Sequence, residues 1–96
     1  MRIRYRAQAL GDIDEISRYL NERSPSGALN VLRAIYAGIR LIAEQPYASQ
    51  RADNPDIRVK PVRRYRYKIF YSIVDEDTVE IIHVRHTSRR PWQGSS

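Results

Sequence analysis

Residues 84–92 read "VRHTSRRPW", and with His83 immediately before them they hold both histidines of this 96-residue chain, beside three arginines. Imidazole next to guanidinium suits two kinds of work. One is acid–base chemistry on a phosphodiester, with cations stabilising the charge that develops on phosphorus and a positioned base removing a 2′-hydroxyl proton. The other is docking, in which planar guanidinium forks pair with carboxylates or phosphates. The supporting groups for cleavage would be Arg58, Lys60, Arg63, Lys68 and Arg85 as cations, His86 as base, and Tyr65 or Tyr67 as a platform for a nucleobase. Tyr67 and Tyr71 lie in the most apolar stretch of the chain, however, and read as core.

Other chemistries find less support. His83 and His86 are three apart, so on an extended strand they point to opposite faces, and no third ligand stands at metal-site spacing. No metal or other cofactor is expected. The chain has no cysteine, which excludes disulfides, thiolate sites and thiol nucleophiles. A Ser-His-Asp set can be assembled on paper from Ser72, Ser88, His86 and Asp75, but no nucleophile elbow surrounds either serine. The four glycines form no phosphate-binding loop.

The elements that must position these residues follow from periodicity. In "RIRYRA" arginines alternate with Ile3 and Tyr5, the mark of a short first strand. From Gln8 to about Arg23 the positions Ala9, Ile13, Ile16 and Leu20 follow helical spacing, with Asp12, Asp14 and Glu15 placed to favour the macrodipole. "SPSGA" breaks the pattern with Ser24 and Ser26 as caps around Pro25. A second helix of about 20 residues, with Ala28, Val31, Leu32, Ile35, Ile39 and Ile42 on one face, runs to Glu44 or Gln45 and stops at Pro46. Residues 46–56 read as a surface loop. Strands follow at 57–62, 66–74 and 78–85, the last two joined by the acidic turn "DEDT". The order β-α-α-β-β-β describes an α+β domain over 1–92, a helical hairpin on a small antiparallel sheet, with 93–96 as a frayed tail.

Charge is unevenly spread. The net charge is +6 with a pI of about 10.1, and only Lys60 and Lys68 of the 17 basic residues are lysines. From Arg58 to Lys68 there are six basic residues and no acidic one; Arg85, Arg89 and Arg90 add three more. Gathering like charges costs stability, so such a group implies an acidic partner. Arg58 and Lys60 share a face, and the open face or rim of the sheet is expected to be strongly positive. No stretch approaches the roughly 18 apolar residues of a membrane span, and no apolar leader follows the basic N-terminus, so no membrane partner is expected and a cytoplasmic location fits.

Taken in order, "ALGDIDEISRYL", "LIAEQP", "YKIFYSIV" and "VEIIHVRHTSRR" resemble the RelE/ParE toxin superfamily from Ile3 to Arg90, and its ParE-like branch in particular. The resemblance implies a helical hairpin on a small antiparallel sheet. RelE-like members are ribosome-dependent mRNA endoribonucleases; ParE-like members are described as inhibitors of DNA gyrase; both are neutralised by an antitoxin. The ribonuclease branch uses second-strand lysines, an arginine within the following strand, an arginine after the last strand and a tyrosine in the tail. Here Arg58 and Lys60 stand at the second-strand positions and Lys68 replaces the in-strand arginine. The place after the last strand falls near Thr87, and no tyrosine follows Tyr71, the tail offering Trp92. The "VRHTSRR" ending has instead the ParE-type His-x-x-Arg form.

The resemblance therefore implies a non-enzymatic gyrase inhibitor, with RelE-like cleavage through His86 as the alternative. Its target-binding face is expected at Arg58, Lys60, Arg63, Arg64, Arg85, His86, Arg89, Arg90 and Trp92. A ParD-like antitoxin is expected to fold an acidic, apolar segment against Tyr19, Arg33, Tyr36 and Arg40 in a hetero-oligomer, and to supply any contact with DNA.

Overall fold

A computed structural model describes residues 1–87; Arg89, Arg90, Trp92 and the tail at 93–96 lie outside the described residues. The chain runs β1 (Arg2–Tyr5), α1 (Ala7–Asn21), α2 (Pro25–Glu44), β2 (Gln50–Arg51), β3 (Arg58–Pro61), β4 (Tyr67–Asp75) and β5 (Thr78–His86). The sheet order is β1-β5-β4-β3-β2. Both helices and the three later strands stand where periodicity places them. Two features differ. The loop at 46–56 contributes the two-residue strand β2, antiparallel to β3, and β1 lies parallel to β5, so the sheet is mixed.

The helices form because each element is locally consistent. Ser24 Oγ accepts from Gly27 N at 3.1 Å, Pro25 occupies the first turn of α2, and Gln45 caps the helix before Pro46. Such a cap contributes about 1 kcal/mol. The acidic residues of α1 lie beyond its first turn, contrary to the macrodipole expectation: Asp14 pairs with Arg18, and Asp12 is buried.

One apolar core fills the space between the hairpin and the sheet. Ile35, Ile39 and Ile42 of α2 and Ala9 and Ile13 of α1 meet Ile69, Tyr71, Val79 and Ile81. At Gly38 an added Cβ would stand 3.0 Å from Ile69 Cδ1, so α2 lies directly on β4 there. A second cluster of Ile57, Phe70 and Ile82, with Ala52 and Val59 packed on it, covers the other side of the sheet. That face is therefore partly apolar rather than an open cationic surface. The 46–56 segment supplies part of this cover, its return held by Ala52 N to Ile57 O at 2.7 Å. Central strands buried on both sides explain the density of aromatic and β-branched residues in 66–74.

The N-terminal arginines are tied to β5. Glu80 accepts from Arg4 Nε at 3.0 Å and Arg6 Nε at 2.9 Å. Burial acts to raise the Glu80 pKa, but the hydrogen bonds from Arg6 and Arg4, with their charges, outweigh it and hold the carboxyl below its ordinary range. A depressed folded pKa stabilises the fold above the unfolded value of about 4.3, and that contribution is lost as pH falls through the folded value. Thermal melts taken from about pH 6 down to about pH 3 should show the wild type losing an increment that Glu80→Gln lacks throughout. Parallel curves for the two proteins would exclude this linkage.

Candidate interaction surface

Some cations of the described chain are committed to the fold and others are not. Arg4, Arg6 and Arg18 are paired within the chain, to Glu80 and Asp14. Arg58, expected on the target face, serves the fold: its Nη1 donates to Ser49 O at 2.8 Å and Tyr47 O at 3.3 Å, and its guanidinium lies 5.3 Å from the Tyr47 ring centre. Tyr71 Oη donates to Pro46 O at 2.6 Å, so the start of the 46–56 segment is held from two sides. By contrast Lys60, Arg63, Arg64, Lys68 and Arg33 form no ion pair among the described residues.

Strand register decides where the second set points. Arg58 stands opposite Tyr71 and Lys60 opposite Ile69, so both face the helical side, whereas Lys68 and Arg85 stand opposite each other on the side of Phe70. The sheet therefore brings Lys60 together with Arg63 and Arg64 of the β3–β4 turn and separates them from Lys68 and Arg85. The turn residue Arg64 has φ 72°, the only positive φ outside glycine among the described residues. An arginine held there costs about 1–2 kcal/mol relative to the right-handed region.

Between α2 and this turn runs a groove of about 740 Å³. Its floor is Ala34, Ala37, Gly38, Leu41 and Val62; its rim carries Arg33, Lys60, Arg63 and Arg64. The other residues expected to meet an antitoxin lie elsewhere. Tyr19 is exposed on α1 beneath the Arg23 guanidinium, 3.7 Å from its ring centre. Tyr36 is exposed over a cleft of about 290 Å³ with Leu10 and Leu32, near Tyr5, whose pKa is raised by its burial and then by Tyr36. Arg40 is exposed on α2.

His86 lines a different pocket, of about 240 Å³, with Glu15, Tyr19, Tyr67, His83 and Arg85. Tyr67 meets the His86 ring edge-on at 5.1 Å. Beside them is a pair that sequence reasoning did not join: Asp12 Oδ2 pairs with His83 Nδ1 and accepts from Val84 N at 2.9 Å, while Oδ1 accepts from Gln8 Nε2 at 2.8 Å. A signal for Asp12 existed, since positions 9, 12, 13 and 16 share one helix face and put a carboxylate in an apolar stripe. The paper assembly of Asp75 with His86 does not form: Asp75 pairs with Thr78 at one end of the β4–β5 hairpin, and His86 with Tyr67 at the other. Among the described residues no group of three His, Asp or Glu side chains gathers to hold a metal.

A two-helix hairpin laid across a five-stranded mixed sheet is the fold of the RelE and ParE toxins. A chain in the structure of the chromosomal ParDE toxin–antitoxin system from P. aeruginosa superposes with a TM-score of 0.76 at 15% identity, covering 92% of this chain and 97% of that one. The E. coli RelBE toxin–antitoxin complex gives 0.65 at 20% identity over 92% and 98%. The isolated E. coli RelE toxin gives 0.65 at 20% over 93% and 86%. Sequence comparison with curated proteins returns no significant match. The family model for the ParE toxin of the parDE type II toxin–antitoxin system matches residues 3–91, and the chain belongs to that family.

Three measurements test these two regions. Asp12→Ala should destabilise by about 3 kcal/mol, because it strands a buried imidazole and the Val84 N–H. A double-mutant cycle with His83→Ala should return a coupling of about 1 kcal/mol or more, and additive losses would show that the pair is not coupled. Arg64→Gly should leave unfolding free energy unchanged or raise it by up to about 1 kcal/mol, since glycine adopts this φ without strain. A clear loss in denaturant titration would mean that the arginine side chain stabilises the turn.

Proposed function

We propose that this ParE-family toxin binds DNA gyrase without performing catalysis, and that a ParD-like antitoxin neutralises it in a tight cytoplasmic hetero-oligomer that touches DNA only through the antitoxin. The observation that carries this reading is the grouping of Lys60, Arg63 and Arg64, which form no ion pair among the described residues and meet where the β3–β4 turn holds Arg64 at a positive φ, while Arg4, Arg6, Arg18 and Arg58 are engaged within the chain. A fold that keeps an unfavourable φ at an exposed arginine is consistent with a binding role for that side chain. Missing members of the ribonuclease set, the tail tyrosine above all, favour binding over cleavage.

A second reading has its own observation. The Asp12–His83 pair stands in the same pocket as His86 and Tyr67, an arrangement compatible with proton transfer during RNA cleavage.

One induction experiment separates the two. Expressed without antitoxin, the chain should cause gyrase-linked DNA breaks and a DNA-damage response, and purified toxin should block gyrase supercoiling. Arg63→Glu with Arg64→Glu should raise the inhibitory concentration by about tenfold or more, on the order of 1.4 kcal/mol. Unaffected gyrase together with transcripts cut on ribosomes would replace this reading with the ribonuclease one.

A further inference from the structure

We propose that the outer face of the helical hairpin docks a second copy of this chain, joined across a two-fold axis so that Leu29 of each copy enters a cleft on the other. The inference does not depend on which target the toxin binds.

Two rows of residues make this face. On α1, Leu10, Asp14 and Ser17 follow one another at four- and three-residue spacing, and on α2 Leu29, Arg33, Tyr36 and Arg40 do the same. Leu10, Leu29 and Tyr36 are all exposed, with Leu32 half-buried beside them. Single exposed leucines are ordinary, but several gathered around a cleft form a patch.

Shape favours self-association. The cleft of about 290 Å³ is lined by Leu10, Ile13, Asp14, Ser17, Leu32 and Tyr36. Leu29 lies outside that lining, roughly 10 Å along α2 from Tyr36 at the helical rise. A knob and a hole set apart on one face interlock with a second copy when the axis passes midway between them. Each copy then gives its leucine and receives the other's.

Charge fits the same arrangement. Asp14 is the acid of the cleft, and its partner Arg18 is an exposed residue of the same helix at 2.7 Å, a kind of pair that exchanges readily. Arg33, one turn beyond Leu29, forms no ion pair among the described residues. Seating Leu29 in the facing cleft brings Arg33 within reach of the other copy's Asp14, and symmetry makes that pair twice. An acidic peptide or a nucleic acid would instead set negative charge against Asp14, whereas the groove on the other flank of α2 has no acid in its lining.

The two helices offer a face of roughly 22 Å by 20 Å, which buries on the order of 1,000 Å² counting both copies. That is the low end for a specific interface, so a dissociation constant on the order of 10 μM is expected. The groove and the β3–β4 turn stay open in the pair, because Ala34, Ala37, Gly38 and Leu41 face away from the cleft.

Sedimentation velocity of the full chain from about 1 to about 200 μM tests this, with circular dichroism confirming the fold of each variant. The mass should rise from 11.3 kDa toward twice that value. Leu29→Glu, at an exposed position, should weaken association by about tenfold or more. Asp14→Arg and Arg33→Asp should each weaken it by about fivefold or more, while the two together, which restore the pair in the opposite sense, should return to within about twofold of wild type. Amide shifts on dilution should fall around Leu10, Leu29 and Tyr36.

A chain that stays at 11.3 kDa throughout would overturn the proposal, as would a dimer indifferent to Leu29→Glu. So would a double variant no better than the single ones, or dilution shifts confined to the groove or β1. A glutamate-rich helical peptide that shifts the Leu10 and Leu29 amides of a monomeric chain would also overturn it, by giving the face to an acidic segment.

Discussion

A carboxylate in the apolar stripe of α1 settles how the helical hairpin meets the sheet. β1 ends at Tyr5, opposite Ile81, and from there the outer edge of β5 loses its strand neighbour. Asp12 takes over at that edge by accepting from Val84 N and pairing with His83. Burying a carboxylate is costly, and it is tolerated here because both oxygens are occupied. The consequence reaches beyond α1. The same strand carries His86 against Tyr67, and α1, held at this edge, shares one core with α2, whose Gly38 lies on Ile69 of β4.

Charge is sorted by the same architecture. Arginines of the first strand are drawn to Glu80, and Arg58 is spent on the carbonyls of Tyr47 and Ser49. Lys60, Arg63 and Arg64 on one side of the groove and Arg33 on the other form no ion pair among the described residues. A net charge of +6 in a small domain thus resolves into structural arginines and a few free ones, and only the latter have geometry to offer a partner.

Much of the fold was legible from period alone. The Ala9–Ile13–Ile16–Leu20 stripe, the Ser24–Pro25 start and Pro46 stop of α2, and the "DEDT" turn are local signals, and the elements lie within a few residues of them. What was not legible is non-local. Nothing in "RIRYRA" states that it runs parallel to the last strand, and nothing in "QR" states that two residues of a polar loop pair with β3. Alternation correctly put Arg58 and Lys60 on one face, but their neighbours across the sheet, Tyr71 and Ile69, decide that this is the helical face. The β-bulge that sets Phe70 opposite His83 and Tyr71 opposite Ile81 breaks the alternation of β5 at Ile82, so simple period-2 counting misplaces His83. The site was read as a list of cations; its division into committed and free ones required the hydrogen bonds.

The parallel pairing of β1 with β5 also bears on biosynthesis. Arg2 is registered with Thr78, so the first residues made must wait for nearly the last before the sheet can close. Contacts of such long sequence separation form late and slowly. While the ribosome is still adding β5, the nascent chain lacks the strand on which Asp12 and β1 depend. Closure of the sheet is therefore the final step of folding, after both helices and the earlier strands have been made.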